Sequence, residues 1–181
     1  MSRDDQIRFS NLVLPHLTDC FALARWLTGS ATDAEDVVQE ACLRAYRAIN
    51  GYAGGNSRAW ILTIVRNTAY TWLRNNRPPE LVMVDDLDAA ANDSSAHSLG
   101  GDGAGAGTPE TSLIAKADAS RLKDAIAALP AEFRETLVLR EVHGLDYREI
   151  AAVTGKPVGT VMSRLARARQ RLISELGTGK S

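Results

Sequence analysis

Cysteine and histidine are scarce in this chain. Among its 181 residues there are 2 cysteines and 3 histidines. Cys20 and Cys42 both lie in apolar helical patterns, so buried free thiols are expected rather than a disulfide or a metal site. His16, His97 and His143 form no metal-ligand spacing with these cysteines. Neither a metal nor a cofactor is therefore expected.

Signals for secretion, membrane insertion and catalysis are also missing. The N-terminal segment MSRDDQIRF is charged and lacks the apolar core of a signal peptide. No run approaches the ~20 apolar residues of a membrane span. A cytoplasmic protein without a membrane partner is therefore expected. The sequence has no paired nucleophile and base, no phosphate-binding loop and no metal-ligand spacing, which disfavours an enzyme.

Charge is divided unevenly along the chain, although the formal net charge is only −1. Residues 1–77 carry 9 basic and 7 acidic side chains, or +2, and residues 113–181 carry 12 and 8, or +4. Residues 78–112 carry 7 acids and no base, or −7. This middle segment is rich in Gly, Ala, Ser and Asp, and cannot bury enough apolar surface to offset chain entropy. Two mildly basic domains, 1–77 and 113–181, are therefore expected on either side of a flexible acidic linker, 78–112.

The first domain contains three stretches with helical periodicity. The first stretch contains Pro15, which either kinks its helix or delays the helix start, and Gly29 ends it. Asp33 is expected to open the second helix, and the inner stripe of that helix leaves three polar side chains outward: Asp36, Gln39 and Glu40. From the residues alone, this outward face is a charged solvent surface.

The third stretch, RAWILTIVRNTAYTWLRNNR, follows the glycine-rich segment GYAGGNS. No carboxylate occurs between residues 41 and 79, whereas six arginines do. Aromatic side chains alternate with these arginines, a combination that binds single-stranded nucleic acid through backbone charge and base stacking. The alternative is that the tryptophans fill the core, and for Trp60 this alternative is favoured.

The strongest local pattern runs through residues 145–172. Asp146 and Glu149 form a capping box, and Gly155 ends the short helix that this box opens. Pro157 suits the first turn of the next helix. Two helices joined by a tight turn make a helix-turn-helix, whose second helix enters the major groove of DNA. With helices predicted at residues 111–129 and 131–142, the second domain has four helices.

The second helix of this motif has a buried stripe and a basic outer face. The stripe is formed by Val161, Leu165, Ala168 and Leu172. Thr160, Ser163, Arg167 and Gln170 point away from the stripe, and Arg164 and Arg171 flank it. No acid occurs between residues 149 and 175. A solvated basic helix is the alternative, but the capped turn together with the polar outer face favours a DNA reader.

Three segments, in their order and spacing, resemble the bacterial sigma-70 family, specifically its small extracytoplasmic-function (ECF) sigma factors. The segments are DAEDVVQEACLRAY at Asp33–Tyr46, RAWILTIVRNTAY at Arg58–Tyr70, and LPAEFRETLVLREVHGLDYREIAAVTGKPVGTVMSRLARARQRL at Leu129–Leu172. The resemblance covers nearly all of the chain apart from the linker. It implies an all-α fold of two small domains, sigma region 2 and sigma region 4, and initiation of transcription as the function.

The resemblance also implies partners and contact residues. Region 2 would bind the beta-prime clamp helices of core RNA polymerase, melt the minus-10 element and capture unstacked bases, while region 4 would read the minus-35 duplex and touch the beta flap. The residues carried over to the polymerase contact are Asp36, Gln39 and Glu40, which replaces the solvent-surface interpretation. Those carried over to minus-10 DNA are Tyr52, Asn56, Ser57, Arg58, Arg66, Asn67, Tyr70 and Arg74. Those carried over to minus-35 DNA are Arg148, Lys156, Gly159, Thr160, Met162, Ser163, Arg164, Arg167 and Arg171.

Two departures from the family pattern limit what can be carried over. Many relatives have a basic residue where this chain has Met162, so one contact is lost or becomes a methyl contact. The GYAGGNS segment departs from the usual Phe-containing loop, so a minus-10 preference does not transfer.

An anti-sigma factor is an expected partner, and the free chain is expected to be a monomer because no dimerisation segment is evident. A sigma-like decoy that binds an anti-sigma factor without contacting DNA is the alternative function. Such decoys usually carry a receiver domain, and they need no arginines on the recognition helix. Arg164, Arg167 and Arg171 therefore favour a working DNA reader.

Overall fold

The computed structural model of the chain describes residues 3–76 and 109–177. All regular structure in these two segments is helical, with eight α-helices and two short 3-10 helices. The predicted acidic linker lies outside the described residues except for its last four, 109–112, which belong to a helix. That helix begins at Pro109, two residues before its predicted start.

The first lobe comprises residues 3–76. Its elements are α1 (Arg3–Leu12), a 3-10 helix (Leu14–His16), α2 (Leu17–Thr28), α3 (Ala31–Ala48), a second 3-10 helix (Ile49–Gly51) and α4 (Ser57–Asn76). The break at Pro15 confirms the expected interruption, since this proline lies in the 3-10 turn between α1 and α2. Gly29 ends α2 in the left-handed conformation, with φ of 77°.

The start of α3 corrects one prediction. The helix begins at Ala31 rather than Asp33, because the Ser30 side chain caps it by accepting a hydrogen bond from the Asp33 backbone N–H at 3.3 Å. The buried stripe of α3 includes Val37, which is fully buried, whereas its neighbour Val38 is only partly buried. The other buried residues of α3 are alanines, which allow α2 and α4 to approach this helix closely.

The second lobe comprises residues 109–177. Its four helices are α5 (Pro109–Ala128), α6 (Ala131–Glu141), α7 (Tyr147–Thr154) and α8 (Val158–Gly177). The buried residues around which these helices pack include Leu137, Leu139, Leu145, Ile150, Val153, Val161 and Leu165. Because several of these residues belong to α7 and α8, the helix-turn-helix is part of the core of this lobe. Burying each such side chain contributes roughly 1.5–3 kcal/mol.

The two lobes are docked against each other. Helices α6 and α7 of the second lobe pack against α2 and α4 of the first. A single apolar cluster contains residues of both lobes, including Leu27 and Val65 of the first and Leu139 and Ile150 of the second. The sequence predicted two domains but gave no indication that they pack together.

Candidate nucleic-acid interface

The helix-turn-helix has the capping chemistry that its sequence predicted. The Asp146 carboxylate accepts a hydrogen bond from the Glu149 backbone N–H at 2.8 Å, and the Glu149 carboxylate accepts one from the Asp146 backbone N–H at 2.8 Å. Gly155 ends α7 with φ of 68°, a conformation that costs other residues strain. Pro157 then accepts the first hydrogen bond of α8 through its carbonyl, from the Val161 N–H at 3.1 Å. Together these contacts fix the angle at which α8 leaves the turn.

The outward face of α8 is polar and accessible. Val161, Leu165 and Ala168 are buried, as predicted. Most of the residues assigned to minus-35 DNA are exposed, namely Arg148, Lys156, Gly159, Met162, Ser163, Arg167 and Arg171, and Thr160 is half-buried. The Met162 side chain, with 52% exposure, places an apolar group in the middle of this face.

Two of the predicted arginines have contacts within the second lobe. Arg164 forms an ion pair with Glu132 of α6, with 2.7 Å between Nη2 and Oε2. The Arg171 guanidinium lies 5.1 Å from the centre of the Phe133 ring, a cation–π distance. These contacts hold α8 against α6. Ser163 and Arg167 are exposed on the outward face of α8.

The glycine-rich loop of the first lobe is held by its own side chains. Gly54 and Gly55 have φ of 97° and 103°, and the Tyr52 hydroxyl donates to the Gly55 carbonyl at 2.6 Å. The Tyr52 ring lies 5.0 Å from the Trp60 ring. An open cleft of about 470 Å³ lies beside this loop, lined by Arg8, Asn11, Leu12, Tyr52, Ala53 and Gly54. The cleft lies between α1 and the loop, so α1 contributes residues that the sequence did not predict.

Three residues assigned to minus-10 DNA contact the second lobe. Arg66 forms an ion pair with Glu135 of α6 through its Nε, and its Nη2 donates to Glu135 Oε2 at 3.3 Å. The Tyr70 hydroxyl donates to the same oxygen at 3.0 Å. Asn56 caps α4 and also donates through Nδ2 to Glu149 Oε1 at 2.6 Å. The docked lobes therefore cover part of the predicted strand-binding surface.

The other residues assigned to minus-10 DNA on α4 either have contacts within the first lobe or are exposed. Arg58 donates to Asp19 within the first lobe at 2.7 Å, and Ser57 is hydrogen-bonded to His16 at 3.1 Å. Asn67 and Arg74 are exposed on α4. The structure thus brings the predicted residues onto one helix and its preceding loop, but only some of them face solvent.

Glu135 is the residue of this region that the sequence analysis missed. Its side chain is 0% exposed, and burial raises the pKa of its carboxyl although the hydrogen bonds from Arg66 and Tyr70 oppose the rise. Burial and the Glu135 charge also raise the pKa of Tyr70, so this phenol stays a donor. A signal was available in the sequence, because Glu135 precedes the buried Val138 and Leu139 by three and four residues and so shares their helical face.

A further polar contact joins the lobes at His143. Its Nδ1 lies 3.5 Å from Asp19 Oδ1, beyond good hydrogen-bond geometry, and neither ring nitrogen has a hydrogen-bond partner in the described part of the chain. Burial lowers the pKa of His143, although Asp19 acts against this. Burial acts to raise the pKa of Asp19, but the hydrogen bond and charge of Arg58 hold it below its ordinary value.

The outward face of α3 carries the residues assigned to the polymerase. Asp36 and Gln39 are exposed, and Glu40 pairs with Arg44 one turn further along, with 2.8 Å between Nε and Oε1. Leu43, with 53% exposure, lies on the same helix. A single exposed leucine is ordinary on a protein surface, so the polymerase contact of this face stays a prediction.

Comparison with known proteins assigns the family. Residues 12–78 match the family described as Sigma-70 region 2, and residues 119–172 match Sigma-70, region 4. The chain is 36% identical over 176 residues to RNA polymerase sigma-H factor of Pseudomonas aeruginosa, covering 95% of this chain and 88% of that protein. The chain belongs to the sigma-70 family. It is also 34% identical to the ECF RNA polymerase sigma-E factor of Escherichia coli K12, again over 95% of this chain and 88% of that protein.

Two solved structures are similar to this one in fold. The sigma factor RpoE from Bartonella quintana, crystallised with the anti-sigma factor NepR, aligns with a TM-score of 0.67 at 29% identity, covering 93% of this chain and 96% of that chain. CnrH in complex with the cytosolic domain of CnrY aligns with a TM-score of 0.64 at 25% identity, covering 96% and 89%. The all-α, two-domain fold expected from the sequence is confirmed by these matches.

The structure also bears on membranes, metals and thiols in this sigma factor. No helix within residues 3–76 and 109–177 combines the length and apolar character needed to cross a membrane. Across the same residues, no group of three or more His, Cys, Asp or Glu side chains is arranged to hold a metal ion. Cys20 and Cys42 are free thiols, the first buried and the second partly buried, and burial raises the pKa of Cys20 to about 12.

Proposed function

We propose that this sigma factor acts in the cytoplasm as an alternative, non-enzymatic initiation factor, which directs core RNA polymerase to a distinct set of promoters. The recognition helix carries the proposal. Helix α8 buries Val161, Leu165 and Ala168 and turns a polar, basic face outward from a capped turn. That arrangement suits insertion into the major groove, which is about 12 Å wide.

The second lobe reads the minus-35 duplex in this proposal. Arg167 and Ser163 are exposed in the middle of the outward face, where a guanidinium can bond guanine O6 and N7. Lys156 and Arg148 lie at the edges of the motif and contact phosphates, which set the register without reading sequence. Met162 supplies an apolar contact, of the kind that recognises a thymine methyl group.

The first lobe handles the melted minus-10 strand. Its loop from Tyr52 to Ser57 offers the Tyr52 ring as an aromatic platform, and α4 carries Arg58, Arg66 and the exposed Arg74; an aromatic ring combined with positive charge suits unstacked bases. Asn67 is exposed on α4 and can offer both a donor and an acceptor to a base edge. The lobe has a formal charge of only +2 over residues 1–77, so it acts on DNA together with the polymerase.

Two protein partners complete the proposal. Asp36, Gln39 and Glu40 on α3 bind the clamp helices of the beta-prime subunit, and the second lobe touches the beta flap. An anti-sigma factor holds the protein inactive until it is needed. This last step is supported by the Bartonella quintana relative, which was crystallised with the anti-sigma factor NepR.

Transcription of total genomic DNA from the source organism tests the proposal. Core polymerase is supplied with or without the purified chain, and the 5′ ends of the transcripts are sequenced. We expect a small set of new start sites with shared upstream sequences. A decoy that binds an anti-sigma factor without reading DNA would give no new start sites. A conventional repressor would bind its duplex tightly without polymerase.

A further inference from the structure

The recognition helix carries an exposed apolar strip beside its polar face. Val158, Met162 and Ala166 are all exposed, and they follow one another at intervals of four residues. Residues at this spacing lie one above the other on a helix, about 6 Å apart. A single exposed apolar residue needs no explanation, but these three form a continuous strip along the first half of α8.

Gly159 leaves a gap in the helix surface next to this apolar strip. It lies three residues before Met162 and four before Ser163, so both side chains border the gap. Apart from its chain neighbours and the backbone of its own helix, no atom of the described residues lies within 4 Å of where a Cβ at Gly159 would be. The gap therefore has an apolar wall at Met162, a polar wall at Ser163 and an open mouth.

The charge around the gap favours DNA over a protein as the occupant. Lys156 lies just before α8, and Arg148 is exposed on the neighbouring helix. Within α8, four arginines and no acid occur before Glu175. A surface of this charge attracts phosphates. An apolar group within it is therefore placed to touch the edge of a base while the charged groups hold the backbone.

The apolar group that a base edge offers in the major groove is a methyl group. Thymine carries it at C5, whereas the other three bases present only donors and acceptors as their distinguishing groups. 5-Methylcytosine carries the same methyl group at the same ring position. Because Gly159 has no side chain, a base edge that bears this methyl group can approach the helix backbone closely.

We propose that Val158, Gly159 and Met162 form a seat for the 5-methyl group of a pyrimidine, so that this sigma factor distinguishes methylated from unmethylated pyrimidines at one position of its upstream element. The inference rests on the proposed function, because it takes from it the insertion of α8 into the major groove. The ligand class is a 5-methylpyrimidine, which either thymine or 5-methylcytosine supplies. Met162 suits this role because its unbranched thioether side chain adapts its shape to the group that it covers.

Replacing thymine by uracil in a bound duplex tests the inference, because it removes the methyl group and leaves base pairing unchanged. Duplexes are first selected from a random pool by the full chain at low salt, where phosphate contacts strengthen binding. Each thymine of a selected duplex is then replaced in turn by uracil, and affinity is measured by fluorescence anisotropy. Cytosine or 5-methylcytosine, each paired with guanine, is next placed at the position that responds.

Met162→Ser is the test variant, and Ile173→Ser is its matched control. Both substitutions remove an exposed apolar side chain from α8. Ile173, however, lies about three turns beyond Met162, near the end of the helix. Met162→Leu is a second control, because it keeps an apolar side chain at the seat.

We expect the wild-type chain to lose affinity about fourfold when one particular thymine becomes uracil, the equivalent of one buried CH₂ group. At that position, 5-methylcytosine should bind about fourfold more tightly than cytosine. Ile173→Ser and Met162→Leu should keep this sensitivity, whereas Met162→Ser should bind the methylated and unmethylated duplexes alike.

Several results would overturn the inference. They are a selected pool without a preferred thymine, wild-type affinity that no uracil lowers, and equal sensitivity in Met162→Ser. A response confined to thymine would do the same, because the methyl group of 5-methylcytosine lies at the same ring position. If Met162→Ser keeps the duplex preference but weakens capture of core polymerase, the apolar strip is a protein contact and the inference is wrong.

The comparison of thymine with uracil uses the wild-type chain, so it decides the question even if Met162→Ser does not fold. The duplex measurements contain no polymerase. Failure of the chain to create new start sites would therefore refute the proposed function while leaving the test of the methyl seat intact.

Discussion

The buried ion pair between Arg66 and Glu135 leads to a quantitative prediction about how the lobes unfold. Arg66→Met removes the guanidinium and leaves the fully buried Glu135 carboxylate with only the Tyr70 hydroxyl. Removing one partner of a buried pair typically costs about 3–5 kcal/mol. The destabilisation caused by Arg66→Met cannot exceed the free energy of docking, because the lobes can separate and return Glu135 to water.

The positions of the tryptophans provide the assay. Trp26, Trp60 and Trp72 all belong to the first lobe, so their fluorescence reports that lobe, whereas circular dichroism reports the whole chain. In urea, the two signals of the wild-type protein should change together, because docked lobes unfold as a unit. Arg66→Met should separate the two transitions and lower the midpoint of at least one.

Two further variants isolate the buried pair. Arg66→Met combined with Glu135→Leu should recover most of the loss, because replacing both partners of a buried pair by apolar residues is often neutral. Arg44→Met is the control, since the Arg44–Glu40 pair lies within the first lobe and is partly exposed, at 42% and 45% of the two side chains, and such pairs along one helix are worth about 0.3–0.5 kcal/mol. Coincident, unshifted transitions in Arg66→Met, or strictly additive effects in the double variant, would refute the reasoning.

Three other predictions follow from single residues. Glu40→Lys should weaken pull-down of core polymerase with an unchanged circular dichroism spectrum. Normal binding would mean that this face of α3 is only a charged solvent surface. Because burial raises the pKa of Cys20 from 9.0 to about 12, its thiolate fraction at neutral pH falls about 10³-fold, so iodoacetamide should label Cys20 only after unfolding; labelling at the rate of a free thiol would contradict its burial. Burial lowers the pKa of His143, so the folded protein binds fewer protons than the unfolded chain. The free energy of unfolding should therefore fall as pH drops below about 6.5, and a His143→Asn variant with the same pH dependence in urea titrations would refute this.

The local features of the fold were predictable because short-range chemistry determines them. The capping box at Asp146, the left-handed glycine at Gly155 and the break at Pro15 each depend on residues within a few positions in the chain. The start of α3 shows the limit of such reasoning, since Ser30 and Asp33 are both good caps and the backbone uses the serine. Choosing between neighbouring caps requires knowing how the preceding loop enters the helix.

The docking of the lobes was not predictable from the same patterns. Asn56 and Glu149 are 93 residues apart in sequence and Arg66 and Glu135 are 69 apart, and no local periodicity pairs them. An acid on an otherwise buried helical face marks Glu135 as unusual, but its partner becomes known only when both lobes are placed together. Most of the residues assigned to DNA by resemblance lie on α4 and α8, yet resemblance does not reveal which of them the second lobe covers.

Permanganate footprinting on a promoter identified with this protein tests the division of work between the lobes most directly. Core polymerase is combined with the wild-type chain, Arg167→Ala or Asn67→Ala, on duplex and on premelted templates, with gel shift as the measure of recruitment. Arg167→Ala should weaken recruitment, by about 1–3 kcal/mol if one guanine contact is lost, and premelting should not fully rescue it. Asn67→Ala should recruit normally to duplex but leave fewer reactive thymines in the minus-10 region. Failure of both variants at the same step would contradict the account.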